Sequence, residues 1–175
     1  MREIINHSVR FGVLILVQAL VLHNIELGVF SSYFNAFLYI LFILMLPYDI
    51  PNWLLLTLAF LLGITLDAFL HTLGMHTSSC VLIAFLRPTI LKLLASRDEY
   101  EFRNKPNIYI MGFNWFLYYG FLMAVIHHFW FYLVEDFRLV EVHIVLLKAV
   151  SSAIFTTTLI ICSQYLMNKQ KKENG

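Results

Sequence analysis

Six apolar runs, each ended by a short polar patch, account for nearly all of this chain. A helix that crosses ~30 Å of hydrocarbon needs about 20 mostly apolar residues. The runs place spans at about 8–24, 33–47, 53–70, 75–95, 108–134 and 142–167, one all-α membrane domain over 1–175. The first has Gln18 as its only strongly polar member before the patch His23-Asn24-Ile25-Glu26. The second, from Tyr33 to Leu46, stops at Pro47-Tyr48-Asp49-Ile50-Pro51, a turn by composition. It is the shortest run, below the usual ~17–25 residues. His71-Thr72-Leu73-Gly74 separates the third from the fourth, and the fifth is a single helix long enough to tilt. A charged loop with Arg97, Asp98, Glu99, Glu101, Arg103 and Lys105 precedes that fifth span.

Composition closes the other routes. The chain is 60% apolar and 13% charged, against roughly 45–50% and about 25% for a soluble domain. Its charged residues are too few to coat a globule. The 16% aromatic content excludes disorder, two cysteines exclude a disulfide scaffold, and a net charge of +1 gives no basis for binding nucleic acid. Cys80 and Cys162 read as small buried side chains. A cleaved signal peptide over Phe11–Leu22 lacks the small-residue cleavage site, so the first span is expected to be retained.

Cations gather on the cytoplasmic side of membrane proteins. With six spans, one side carries Arg2, Arg10, Arg87, Lys92, Arg97, Arg103, Lys105, Lys169, Lys171 and Lys172, and the other only Arg138 and Lys148. Both termini are therefore expected inside. Asn6-His7-Ser8, a glycosylation acceptor pattern, then faces the cytoplasm and carries no meaning.

An ionisable group at membrane depth is costly and marks a candidate site. Asp67 lies ~21 Å up the third span, hence ~9 Å below the outer surface, and Lys148 lies ~9 Å deep in the sixth. Two readings stand: the pair meets, or faces one outward-opening polar cavity; or Lys148 snorkels while Asp67 caps a broken helix end. His71 shares the face of Asp67 if the helix persists that far. His76, His127 and His128 lie near outer span ends, and the adjacent pair is expected to face different pockets. No metal is expected, since Asp67, His71 and these histidines match no ligand signature. Arg87 and Lys92 are expected to reach the cytoplasmic headgroups, with a partner's acidic residue as the alternative for them, and Pro88 to kink the fourth span. Small residues at fourfold spacing, Gly120 and Ala124, then Ala149 and Ala153, make candidate helix-packing faces. No phosphate-binding loop, nucleophile elbow, paired-cysteine or zinc-protease motif occurs, so no enzyme and no cofactor are expected.

The element Gly63-Ile64-Thr65-Leu66-Asp67, followed by Gly74-Met75-His76, resembles the MreD family of rod shape-determining proteins. The Pro47…Pro51 turn, Phe85-Leu86-Arg87-Pro88 and Met111-Gly112-Phe113 look like its Bacteroidetes-type members. Many relatives open the second span with a proline, where this chain has Tyr33-Phe34-Asn35. The resemblance implies a six-helix fold, N-in and C-in, similar to the S components of energy-coupling-factor transporters. It implies residence in the bacterial inner membrane, binding to the bitopic protein MreC, and a complex with actin-like MreB, a RodA-type glycosyltransferase and a penicillin-binding transpeptidase. That machinery directs lateral peptidoglycan synthesis and maintains cell shape. Gly63, Asp67 and Gly74 are the family positions; Lys148 and His71 complete the candidate intramembrane polar site. The rival is a solute-binding subunit of such a transporter, for which the first span lacks the expected A-x-x-x-A stripe.

Overall fold

The computed structural model describes residues 2–24, 35–94, 106–136 and 142–173, with side chains from 8 to 166 of that set. The charged loop at 95–105, Arg138, the end of the first polar patch (Ile25 and Glu26) and the start of the second run (Tyr33 and Phe34) lie outside it. Every element among the described residues is helical. In chain order they are α1 (Arg2–Leu16), α2 (Ile40–Leu44), α3 (Asn52–Leu70), α4 (Met75–Leu94), α5 (Ile108–Met111), α6 (Phe113–Asp136) and α7 (Val142–Glu173). Four of these, α3, α4, α6 and α7, are long and apolar enough to cross a membrane. Large apolar side chains such as Trp53, Phe60, Phe69, Phe85, Tyr118 and Leu147 cover their outer faces, while the histidines of α4 and α6, Arg87 and Gln164 are buried. That inversion suits lipid as the surrounding solvent.

α1 runs into a π turn at Val17–Val21 and a single 3-10 turn at Leu22–Asn24. The Asn24 side-chain amide donates to the carbonyls of Ala19 and Leu20 at 3.2 and 3.0 Å. The apolar part of this helix, Ser8–Asn24, falls just short of a full crossing. α3 and α4 form an antiparallel hairpin, α4 also packs on α6, and α6 packs on α7. Helix α4 continues through Pro88 to Leu94.

Two departures from the sequence reading concern broken helices. The fifth run is split at Gly112, whose φ of +84° ends α5 before α6 begins. The second run is not one continuous helix: of its described residues only Ile40–Leu44 form an α-helix, and Asn35–Phe37 before it has no regular structure. From Tyr39 to Leu44 no side chain is more than 2% exposed. The run is apolar because protein surrounds it, on the α1, α4, α6 and α7 sides, and not because it meets lipid. Irregular backbone at such depth persists only where protein side chains satisfy its N–H and C=O groups. Cys80 is buried, whereas Cys162 is exposed on α7, contrary to its expected burial.

Candidate functional site

The α3–α4 hairpin is built around Gly63, Asp67 and Gly74. Gly63 and Asp67 are one turn apart on α3, on the side that faces the start of α4. A Cβ on Gly63 would lie 2.3 Å from the Cα of Thr77 and 2.7 Å from its nitrogen, so only glycine permits the two backbones to approach. One turn on, the Asp67 carboxylate accepts from the backbone N–H groups of His76 and Thr77 at 3.1 and 3.0 Å. It also accepts from the hydroxyls of Thr72 and Thr77, each at 2.5 Å. The two N–H groups are orphan donors of the α4 N-terminus, where a negative charge is favoured. Gly74 makes the turn with φ of +78°, and its carbonyl accepts from Ser78 to open the helix.

The structure therefore gives Asp67 the capping role and not the partnership with Lys148. Lys148 donates to Asp136 at 3.0 Å and stands 5.7 Å over the Tyr132 ring. Equal depth did not mean adjacency, because α7 packs on α6 and offers its ammonium to the end of that helix. His71 does not share a helix face with Asp67 either. It ends α3 in a left-handed conformation (φ 56°) and is exposed. Asp67→Ala is expected to cost about 2–3 kcal/mol, the value of charge-assisted bonds to a helix end. In a double-mutant cycle with Lys148→Met, thermal unfolding in detergent should show additivity within about 0.5 kcal/mol. Coupling above about 1 kcal/mol contradicts this partition.

A second polar assembly holds the interior segment. Gln18, at the π turn of α1, donates to the carbonyl of Ala36 at 2.9 Å and accepts from the N–H of Leu38 at 3.1 Å. Thr156 of α7 accepts from the N–H of Phe37 at 3.0 Å, and Ser152 from that of Asn35 at 3.1 Å. The Asn35 side chain donates to Tyr132 at 3.0 Å, and Tyr132 shares a 2.8 Å bond with Ser152. Asn35 thus ties α6 to α7 through its side chain and its backbone. A proline at 35 has no N–H to give Ser152.

Aromatic rings fill the space between these bonds. Phe37 stacks on His128 with ring centroids 4.8 Å apart, and meets His76, His127 and Phe131 edge-on. The adjacent His127 and His128 are consequently both buried against one ring, which corrects the expectation of separate pockets. The two imidazole rings also meet each other edge-on, with centroids 5.6 Å apart. The Tyr39 hydroxyl lies 2.7 Å from His76 Nδ1 and 3.1 Å from His127 Nε2. One hydroxyl proton serves one of these nitrogens, so His127 Nε2–H donates to Tyr39 and Tyr39 donates to His76, an assignment that strands no buried N–H. His127 Nδ1 is then a bare acceptor without a partner among the described residues. His128 donates from Nδ1 to the Ala124 carbonyl at 2.8 Å, and as a neutral ring accepts at Nε2 from Thr156, 3.2 Å away.

The other end of the interior segment is closed by Arg87. Its guanidinium is buried and donates to the Leu46 carbonyl, to the Pro47 carbonyl at 3.4 Å and to the Tyr119 hydroxyl at 3.1 Å. Tyr119 in turn donates to the Leu44 carbonyl at 3.4 Å. Arg87 therefore does not reach the headgroups as expected. The carbonyls left open where α2 ends claim it first. The packing faces are internal as well: Ala124, Ala149 and Ala153 are fully buried, and a Cβ on Gly120 would meet Thr157 at an ordinary 4.0 Å. No three His, Cys, Asp or Glu side chains among the described residues are placed to hold a metal ion.

Chemically, the arrangement is a set of paired donors and acceptors that joins α1, α4, α6 and α7 to the segment between Asn35 and Pro47, and α3 to α4. Comparison with family models, curated proteins and solved structures finds no match to this chain.

Proposed function

We propose that this protein is a non-enzymatic membrane scaffold of the bacterial elongation machinery, of the MreD kind. It crosses the inner membrane six times with both termini in the cytoplasm. The α1 helix and the interior segment with α2 supply the first two crossings beside the four long helices. It binds an MreC-type bitopic protein, and through it joins MreB, a RodA-type glycosyltransferase and a penicillin-binding transpeptidase. Its output is association: the complex directs lateral peptidoglycan synthesis and keeps the cell a rod.

One observation carries this reading. Gly63, Asp67 and Gly74, the residues on which the resemblance rests, act together as a single device that joins α3 to α4. A motif spent on backbone approach and helix capping suits a protein whose work is to hold a shape that others bind. Depletion in the source bacterium is the test. Loss of rod shape, with cells rounding as the protein is diluted by growth, is the expected result; cells that stay rod-shaped overturn the reading.

A further inference from the structure

A groove of about 620 Å³ opens on the lipid-facing side between α1, the end of the interior segment and α3. Of its lining residues, only Leu46 and Pro47 take part in the polar assemblies described above, through the carbonyls that accept from Arg87. Phe42 forms part of its floor, and Leu54, Leu58 and Leu61 form the α3 wall. Its size is that of a small-molecule site, which typically occupies roughly 300–1,000 Å³. The polar lining is confined to one end, where Ser8 and Asp49 stand. Asp49 lies in the turn between Pro47 and Pro51, is exposed, and has no ion pair or hydrogen bond to another described residue.

Length and charge together identify the occupant. From Pro51 to Leu61 the groove follows α3 for ~15 Å, at 1.5 Å per residue. That is half of the ~30 Å hydrocarbon layer. A partner's transmembrane helix would run the full thickness, whereas one acyl chain of one leaflet ends at the midplane. At the surface end, the Asp49 carboxylate and the Ser8 hydroxyl both line the groove, while Arg10 is turned onto Met45 Sδ at 3.8 Å; a carboxylate there complements an ammonium group and repels an anionic headgroup. We propose that the groove holds an acyl chain of an aminophospholipid from the leaflet on the Pro47–Pro51 side, with its ammonium at Asp49. The inference rests on the membrane-spanning helices alone and stands apart from the scaffold reading.

Photo-cross-linking tests it on the full chain. Benzoylphenylalanine is placed at Leu58, and in parallel at Leu61, which is more exposed and tolerates the change if Leu58 does not. The same group at Phe85, exposed on α4, samples ordinary lipid contact. Each protein is reconstituted in vesicles of phosphatidylethanolamine and phosphatidylglycerol with identical chains in equal amounts, irradiated and weighed intact. At the groove positions, phosphatidylethanolamine adducts should exceed phosphatidylglycerol adducts about fivefold, the preference one exposed ion pair supports. Asp49→Asn should bring the two to parity without loss of total adduct, and position 85 should show parity throughout. Equal adducts at both groove positions, the same bias at position 85, or a bias that survives Asp49→Asn overturns the proposal. In native membranes, a cross-link from position 58 to a second copy or another polypeptide in place of lipid overturns it as well.

Discussion

Gly63→Ala is expected to destabilise the protein by about 3 kcal/mol or more, although alanine is the better helix former by roughly 1 kcal/mol. The added methyl would enter the space of Thr77 Cα and N, at 2.3 and 2.7 Å, and stand 3.0 Å from the carbonyl carbon of His76. Those are backbone atoms, so no rotamer change relieves the overlap. The hairpin must open, and the first bonds to lengthen are those from His76 and Thr77 to Asp67. Loss of packing and loss of the cap therefore arrive together. Gly120→Ala is the matched control: its methyl would find neighbours at 3.9 and 4.0 Å, so its stability should stay level or rise slightly. Thermal unfolding of both variants in the same detergent measures the contrast. A Gly63 variant as stable as the Gly120 variant contradicts the close approach of α3 and α4.

Arg87→Met is the other change with a large expected effect, a loss of about 2–4 kcal/mol. Methionine keeps most of the buried volume but leaves the Leu46 and Pro47 carbonyls without their donor and removes one partner of Tyr119. Unsatisfied buried acceptors cost about 1–3 kcal/mol each, partly offset because a buried charge no longer has to be desolvated. Arg87→Lys should recover only part of the loss, since an ammonium lacks the planar fork that reaches several acceptors at once. Amide hydrogen exchange across 40–48 should quicken in the methionine variant before the rest of the bundle responds. Wild-type stability with unchanged exchange contradicts the role given to Arg87.

The residues differ in how plainly they announced these roles. Apolar length was enough to find α3, α4, α6 and α7, because a helix in lipid has to be predominantly apolar over the ~20 residues that span it. The Pro47–Pro51 turn and the capping use of Asp67, one of its two sequence readings, were also accessible from local chemistry. The interior segment was not. Eleven successive residues from Ala36 to Leu46 are apolar for lipid or for a protein interior alike, and periodicity does not separate the two. The signal was on other helices: Gln18, alone in a greasy run, and Ser152 and Thr156 on α7 all address this segment's backbone. The mistaken Asp67–Lys148 pairing came from depth, which sequence supplies, without the rotation of each helix, which packing decides. For Arg87 the snorkelling expectation failed because the carbonyls of Leu46 and Pro47 and the Tyr119 hydroxyl hold its guanidinium in the interior.

The scaffold reading meets its most direct test in affinity isolation of the tagged full chain from the source bacterium in a mild detergent. An MreC-type protein should co-purify with the wild type, and less of it with Gly63→Ala, whose hairpin is disturbed. Recovery of an energising ATPase module in its place, with no MreC-type protein, contradicts the account and favours a solute-binding transport subunit.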